Sequence, residues 1–394
     1  DERMEARERG GREGGDDLRT LPTRLARSTA QARLEEAIAT DTPFVERLVH
    51  FWSNHFAISG DTVVMRAHAG AYEFDAIRPH VLGKFGDMLA AVENHPAMLV
   101  YLNQNVSIGP NSRAGGRGAE GERRRGLNEN LAREILELHT LGVRSGYTEE
   151  DVRELARALT GRTVGGRGPG RRDADPGEAA YVERMHEPGA RTLLGRSFPD
   201  SGEQQAAAML DFVAARPETA RHIATKLARH FIADIPPPAA VARIERAFLD
   251  SDGDLPTTYR ALIDSPEAWR EPFAKFKTPW DWLVSAWRAA GPELELGRTR
   301  QILDQLGQPI WKPESPAGFG DTASDWAAPD ALMRRVEMAQ EIVRRIPDQT
   351  QPVRLGEQVL PGVLGDATRT QLSRADSPAQ GLTMLLVAPE FLRR

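Results

Sequence analysis

The sequence predicts a mostly α-helical protein, and three observations carry that prediction. Apolar residues recur at the helical period through most of the chain. Helix-start signals, a Pro or a Ser, Thr or Asp ahead of an apolar stripe, recur with them. Only residues 161–198 drop that period, placing short apolar runs between Gly, Pro and Asp clusters as a small β-ribbon or irregular insertion would. At 394 residues the chain can bury a large core. The expected organisation is one large helical domain over 30–394, with a polar loop over 103–127 and the insertion over 161–198. A charged segment over 1–29 precedes it.

That opening segment is nearly free of large apolar residues before Leu18, a composition expected to be flexible or weakly ordered. Ala30–Ile38 is read as a short helix. Thr42 and Pro43 then open a strong one over Phe44–Phe56, with Thr42 as N-cap and Pro43 in the first turn. Its stripe is Leu48, Val49, Trp52 and Phe56. Helices follow over Met65–His80 and Leu82–Glu93, and Pro96 starts the apolar run Ala97–Leu102. Asn103–Leu127 holds mostly Gly, Arg, Asn and Ser, and a loop this long is usually mobile or functional. A helix beginning at Asn128 and stopped by Gly142 comes next. Thr148-x-x-Asp151 reads as a capping box for Glu149–Leu159. After the insertion, helices are expected over Gly202–Ala215, Pro217–Ile232, Ala239–Leu249, Leu255–Ile263, Pro279–Ala290 and Arg298–Leu306. Two or three more lie between Pro329 and Phe391.

The chain has no cysteine, which excludes disulfides, zinc–thiolate sites, iron–sulfur clusters and cysteine nucleophiles. The net charge of −6 is modest, acids and arginines alternate, and no basic stripe stands out, so no nucleic-acid partner is expected. Lysine is confined to Lys84, Lys226, Lys275, Lys277 and Lys312. No apolar run approaches the ~20 residues that span a bilayer. The chain begins at Asp1 without a visible signal peptide, as a processed product would.

The helix from Asn128 to Gly142 concentrates the chemistry. Leu131, Ile135 and Leu138 share one face, while Asn130, Arg133, Glu134 and Glu137 crowd the other. Glu134 and Glu137, three residues apart, bring their Cβ atoms to about 5–6 Å. Carboxyls that close can split their pKa values into an acid and a base. The competing reading pairs them with Arg133 and Arg157 in a half-buried structural network. Asn128 caps helices well and Glu129 suits the positive end of the helix dipole. Glu129 also stands at the mouth of the long loop and is a candidate catalytic carboxylate.

His55, beside Asn54 in an aromatic setting, is either a hydrogen-bonded core residue or a substrate contact. His186, in His186-Glu187-Pro188-Gly189, is either a solvated turn residue or part of a functional loop. Glu46 and His50 are read as an exposed helix pair. A metal held by His55, His186, Glu129 and Glu134 is chemically possible, but no metal-binding spacing exists and no cofactor is expected. The Asp250-x-Asp252-x-Asp254 run is read as a helix-capping turn rather than a calcium loop. Trp280, within Lys277–Trp282, offers a face on which a ligand could stack.

Several ordered stretches resemble the domain of unknown function 1800 family. They are Phe51–Phe56, Pro96–Leu102, Asn128–Gly142, Gly146–Glu149, Ala156–Gly161, His186–Gly195, Leu306–Pro309 and Pro389–Phe391. The resemblance covers Thr42 to Arg394 and implies a largely helical bacterial protein, exported to the periplasm or outside. Two departures are Phe319, where the family's Trp is expected, and His139, where many members carry Phe.

The function expected from this reading is an exported hydrolase using glutamate acid/base chemistry on a polysaccharide. Glu129, Glu134 and Glu137 would be catalytic; His55, Asn54, Asn128, Asn130, Arg133, His186 and Trp280 would hold the glycan, under a lid formed by 103–127. One alternative is a non-catalytic export, assembly or binding partner in the envelope whose polar helix is structural. Another is a metal-dependent enzyme.

Overall fold

The computed structural model describes residues 2–115, 126–166, 174–271, 273–291, 296–347 and 349–394. Among them the regular structure is 18 α-helices and two antiparallel two-stranded sheets, so the mostly α reading holds. The helix expected over Ala30–Ile38 is the end of a longer one, α1 (Glu2–Ala39), so residues 2–29 carry helical backbone. Composition gave no apolar period there, but Arg and Glu are themselves good helix formers.

Among the described residues two large apolar cores organise the chain, beside a small cluster of Ile108, Val182 and Met185. The first is packed by α2 (Pro43–His55), α3 (Val63–Tyr72), α4 (Phe85–Asn94), α5 (Pro96–Tyr101), α6 (Asn130–Glu134), α7 (Glu149–Leu159), α8 (Glu203–Ala214), α9 (Pro217–Phe231), α10 (Pro238–Asp250) and α11 (Leu255–Ile263). At its centre Trp52 is fully buried and donates its indole N–H to the Tyr259 hydroxyl over 2.6 Å. The second gathers the C-terminal half around α12 (Pro279–Ala290), with α13 (Leu296–Gln305), α15 (Pro329–Val343), α16 (Pro352–Val359), α17 (Asp366–Ser373) and α18 (Pro378–Leu386). The short α14 (Ala323–Trp326) precedes α15. Ala30, Leu34 and Ala37 of α1 belong to the second core, so α1 ties the chain's two ends together.

Start signals worked where they were strong. The Thr148–Asp151 capping box is complete, and Asp254 caps α11 through the Thr257 N–H. Thr42 does not cap α2: its hydroxyl faces that of Thr40 at 3.2 Å, and Pro43 starts the helix unaided.

Two segments depart from regular helix into π turns: Glu73–Ile77 after α3, and Ile135–His139 after α6. The helix expected from Asn128 to Gly142 is therefore five α residues followed by a widened turn. Such turns are rare and concentrate at functional positions.

The insertion holds β1 (Arg162–Val164) paired with β2 (Ala179–Tyr181), and β3 (Arg191–Leu193) paired with β4 (Arg196–Phe198). Leu194 and Gly195 link the second pair with φ of 49° and 79°, the left-handed turn that matches the twist of a tight hairpin.

Candidate functional site

Two polar constellations stand out, one on α6 and one in a cleft between the cores.

On α6, Asn128 accepts the Asn130 N–H at 2.9 Å and donates its own backbone N–H to the Ser107 hydroxyl at 3.0 Å. It seats the helix from outside, and Glu129 takes the N-cap position. Asn130 is exposed. Arg133 grips Glu149 with both arms, at 3.0 and 2.7 Å, and lies 3.6 Å from Glu129, which also sits 3.8 Å from Arg153. Arg157 takes Glu150 and Glu154. The two arginines that would have neutralised Glu134 and Glu137 are thus engaged elsewhere.

Glu134 is half-buried, and no hydrogen bond or ion pair reaches its carboxylate from the described residues. Burial raises its carboxyl above the ordinary glutamate value; Glu137 adds to the rise, while His139 and Arg133 oppose it. Two phenols flank the pair. Burial and Glu134 push Tyr101 up to about 12, and burial and Glu137 raise Tyr147. A carboxyl raised by burial is suited to act as a general acid, with a neighbouring carboxylate as the base. Residues 116–125, the middle of the expected lid, lie outside the described residues. Its near end is tied down: Glu187 accepts the Asn111 backbone N–H at 2.7 Å and the Asn111 amide at 2.6 Å.

The structure does not bring His55 or His186 to these carboxylates. His55 is 1% exposed, ringed by Phe51, Trp52 and Phe56, with Nε2 3.1 Å from the His139 carbonyl. His186 is buried with Nδ1 2.9 Å from the Thr160 carbonyl. Each imidazole spends one nitrogen on a backbone oxygen, while His55 Nδ1 and His186 Nε2 are buried without a hydrogen-bond partner among the described residues. Among the described residues no three His, Asp or Glu stand together as a metal site.

Asn54 and Trp280 meet instead in the cleft between the cores, which encloses a cavity of about 80 Å³. α2 supplies Arg47, His50, Ser53 and Asn54; α12 supplies Trp280 and Asp281; Trp311, Phe319 and Asp321 come from the segment before α15. Asn54 clamps the Phe319 backbone, accepting its N–H at 2.7 Å and donating to its carbonyl at 3.0 Å. Glu46 and His50, expected on the surface, are interior. Glu46 is 4% exposed, takes both arms of Arg78 at 2.7 and 2.8 Å, and lies 3.2 Å from His50. The expectation failed because Arg78 closes over Glu46 and Trp280 of the second core closes over His50.

Sequence reasoning missed most of the cleft's charge. Glu73, on the first π turn, is fully buried. Burial alone would raise it, but Arg33 at 3.0 Å, His50, the Trp311 indole at 2.8 Å and the Ser53 hydroxyl at 2.7 Å hold it below its ordinary value. Arg33 in turn lies over the Trp280 ring at 4.3 Å. His230 meets Asp321 at 2.9 Å, and Asp281 meets Arg394 at 2.9 Å. The only sequence signal for these residues was the aromatic cluster around Asp281.

A family model described as "Protein of unknown function (DUF1800)" matches residues 3–393. No curated protein and no solved structure matches the chain.

Proposed function

Since the chain belongs to this family, whose description assigns no reaction, we infer its function from the site alone: acid/base hydrolysis with Glu134 as the proton donor. The observation that carries this reading is a half-buried carboxyl with no partner among the described residues, next to Glu137 and at the start of a π turn. The arginines that would have explained it structurally are paired with other acids. Glu137 would serve as base or nucleophile, Tyr101 and Tyr147 would border the substrate, and Glu129 with Arg133 would hold the helix mouth. A glycan is the proposed substrate class, because paired carboxyls suit an acetal bond. A periplasmic or secreted location is proposed with it, resting on the family resemblance.

Reducing ends released from bacterial and plant polysaccharides test the proposal. Glu134→Gln should reduce turnover at least ~100-fold, the usual contribution of a positioned acid or base. Turnover by Glu134→Gln and Glu137→Gln equal to that of the parent protein would refute it.

A second reading, a non-catalytic partner in the cell envelope, is favoured by the exposed web of Glu129, Arg133, Glu149 and Arg153. In that case the Gln variants would change melting temperature and no chemistry.

A further inference from the structure

The charges lining the cleft balance, Arg33 and Arg47 against Asp281 and Asp321, but the shell behind them adds further cations. Arg33 is matched by Glu73, Lys275 by Asp234 and Arg394 by Asp281. Arg47, Lys277 and Arg335 make no ion pair among the described residues; Asp281, already paired with Arg394, acts on all three only at longer range. Asp321 meets His230, whose pKa burial lowers to about 4, so its charge stays available and acts on Arg47 beyond ion-pair distance. Arg47 lines the cleft, and its Nε is buried without a hydrogen-bond partner. Arg335 is 1% exposed; one arm donates to the Lys277 carbonyl at 2.7 Å, and the other has no partner. Lys277 rests over the Phe391 ring at 4.6 Å.

Proteins seldom bury guanidinium groups without acceptors, because the lost hydration is not replaced. Where such groups face an open cleft, an anion from solution can supply both the charge and the acceptor atoms, and a guanidinium fork suits an oxyanion. Trp280, Trp311 and Phe319 give the same cleft apolar walls, so the anion can carry an organic body.

We propose that this cleft is a binding site for a small oxyanion-bearing molecule, with Arg47 as its direct contact and Lys277, Arg335 and Arg394 providing the field behind it. The site is separate from the Glu134 constellation and stands or falls independently of it.

The test is calorimetric titration of the full chain at low ionic strength with inorganic phosphate, sulfate and acetate, which separates phosphoryl, sulfuryl and carboxylate ligands. At least one should bind saturably, and Arg47→Met should weaken it tenfold or more. Arg334→Met, which removes an exposed arginine paired with Asp330, should leave binding unchanged. In anion-free buffer Arg47→Met should melt at or above the parent temperature, since it removes a charge without an ion pair. Absence of saturable binding with all three probes, equal binding by Arg47→Met, or a lower anion-free melting temperature for Arg47→Met would each overturn the proposal. The last result would mark Arg47 as a structural brace.

Discussion

Trp280 donates its indole N–H to His50 Nδ1 over 2.9 Å. An indole N–H can only donate, so Nδ1 must carry the lone pair and the His50 proton must sit on Nε2, facing Glu46 at 3.2 Å. One hydrogen bond thus joins α12 of the second core to α2 of the first and fixes a tautomer at their seam. Burial, helped by Arg33, also lowers the His50 pKa and keeps the ring neutral.

Trp280→Phe keeps an aromatic ring but leaves His50 Nδ1 without its donor. An unsatisfied buried acceptor costs about 1–3 kcal/mol. Thermal unfolding should move down by that amount, and Trp280→Phe/His50→Phe should recover part of the loss because it removes both polar partners.

Glu46 supports the same seam with a pH signature. Burial raises its carboxyl, but Arg78 and His50 outweigh burial and bring it from 4.5 to about 2. Its folded value lies below its unfolded one, so its stabilisation is present above pH 4.5 and is lost as pH falls toward about 2. At neutral pH the contribution is about 3 kcal/mol by linkage. The gap in unfolding free energy between the parent and Glu46→Gln should be near that size at pH 7 and close over the acid window.

Glu134 has the opposite sign. Its folded value is raised, so the protonated form favours the fold, and stability falls as pH climbs from the ordinary glutamate value through the raised one. Glu134→Gln should therefore melt higher than the parent at pH 7 and match it in acid. A loss of stability at pH 7 would show that the carboxylate is paired after all.

Gly161 has φ of 91°, and a Cβ there would stand 2.8 Å from Tyr181 Cε2 and 3.2 Å from the Val182 carbonyl. Gly161→Ala should destabilise by about 1–3 kcal/mol through backbone strain alone, more once the contact with Tyr181 is added. Urea unfolding measures it.

How far these features could be read from the sequence depends on how local their causes are. The Glu149–Leu159 helix was read to the residue because its capping box and stripe lie within one segment. Glu134 and Glu137 were placed together because helical spacing brings them together. The π turn after Glu134 was not foreseen; it ends at His139, which meets Glu93 at 2.7 Å, a tertiary contact that no local pattern announces. His55 and His186 were misplaced for the same reason. Their acceptors, the carbonyls of His139 and Thr160, are distant in sequence or offered by the backbone, and sequence pattern carries neither signal. The cleft was invisible because it needs α2, α12 and the Trp311–Asp321 segment at once, which only the packing of two cores assembles.

The most direct test is a carbon-13 titration of the Glu134 side-chain carboxyl, assigned by its loss in Glu134→Gln. A midpoint above 4.5 that drops in Glu137→Gln is the expected result, because burial and that neighbour both raise it. A midpoint at or below 4.5 would mean that Glu134 is an ordinary ionised surface acid and would contradict the proton-donor account.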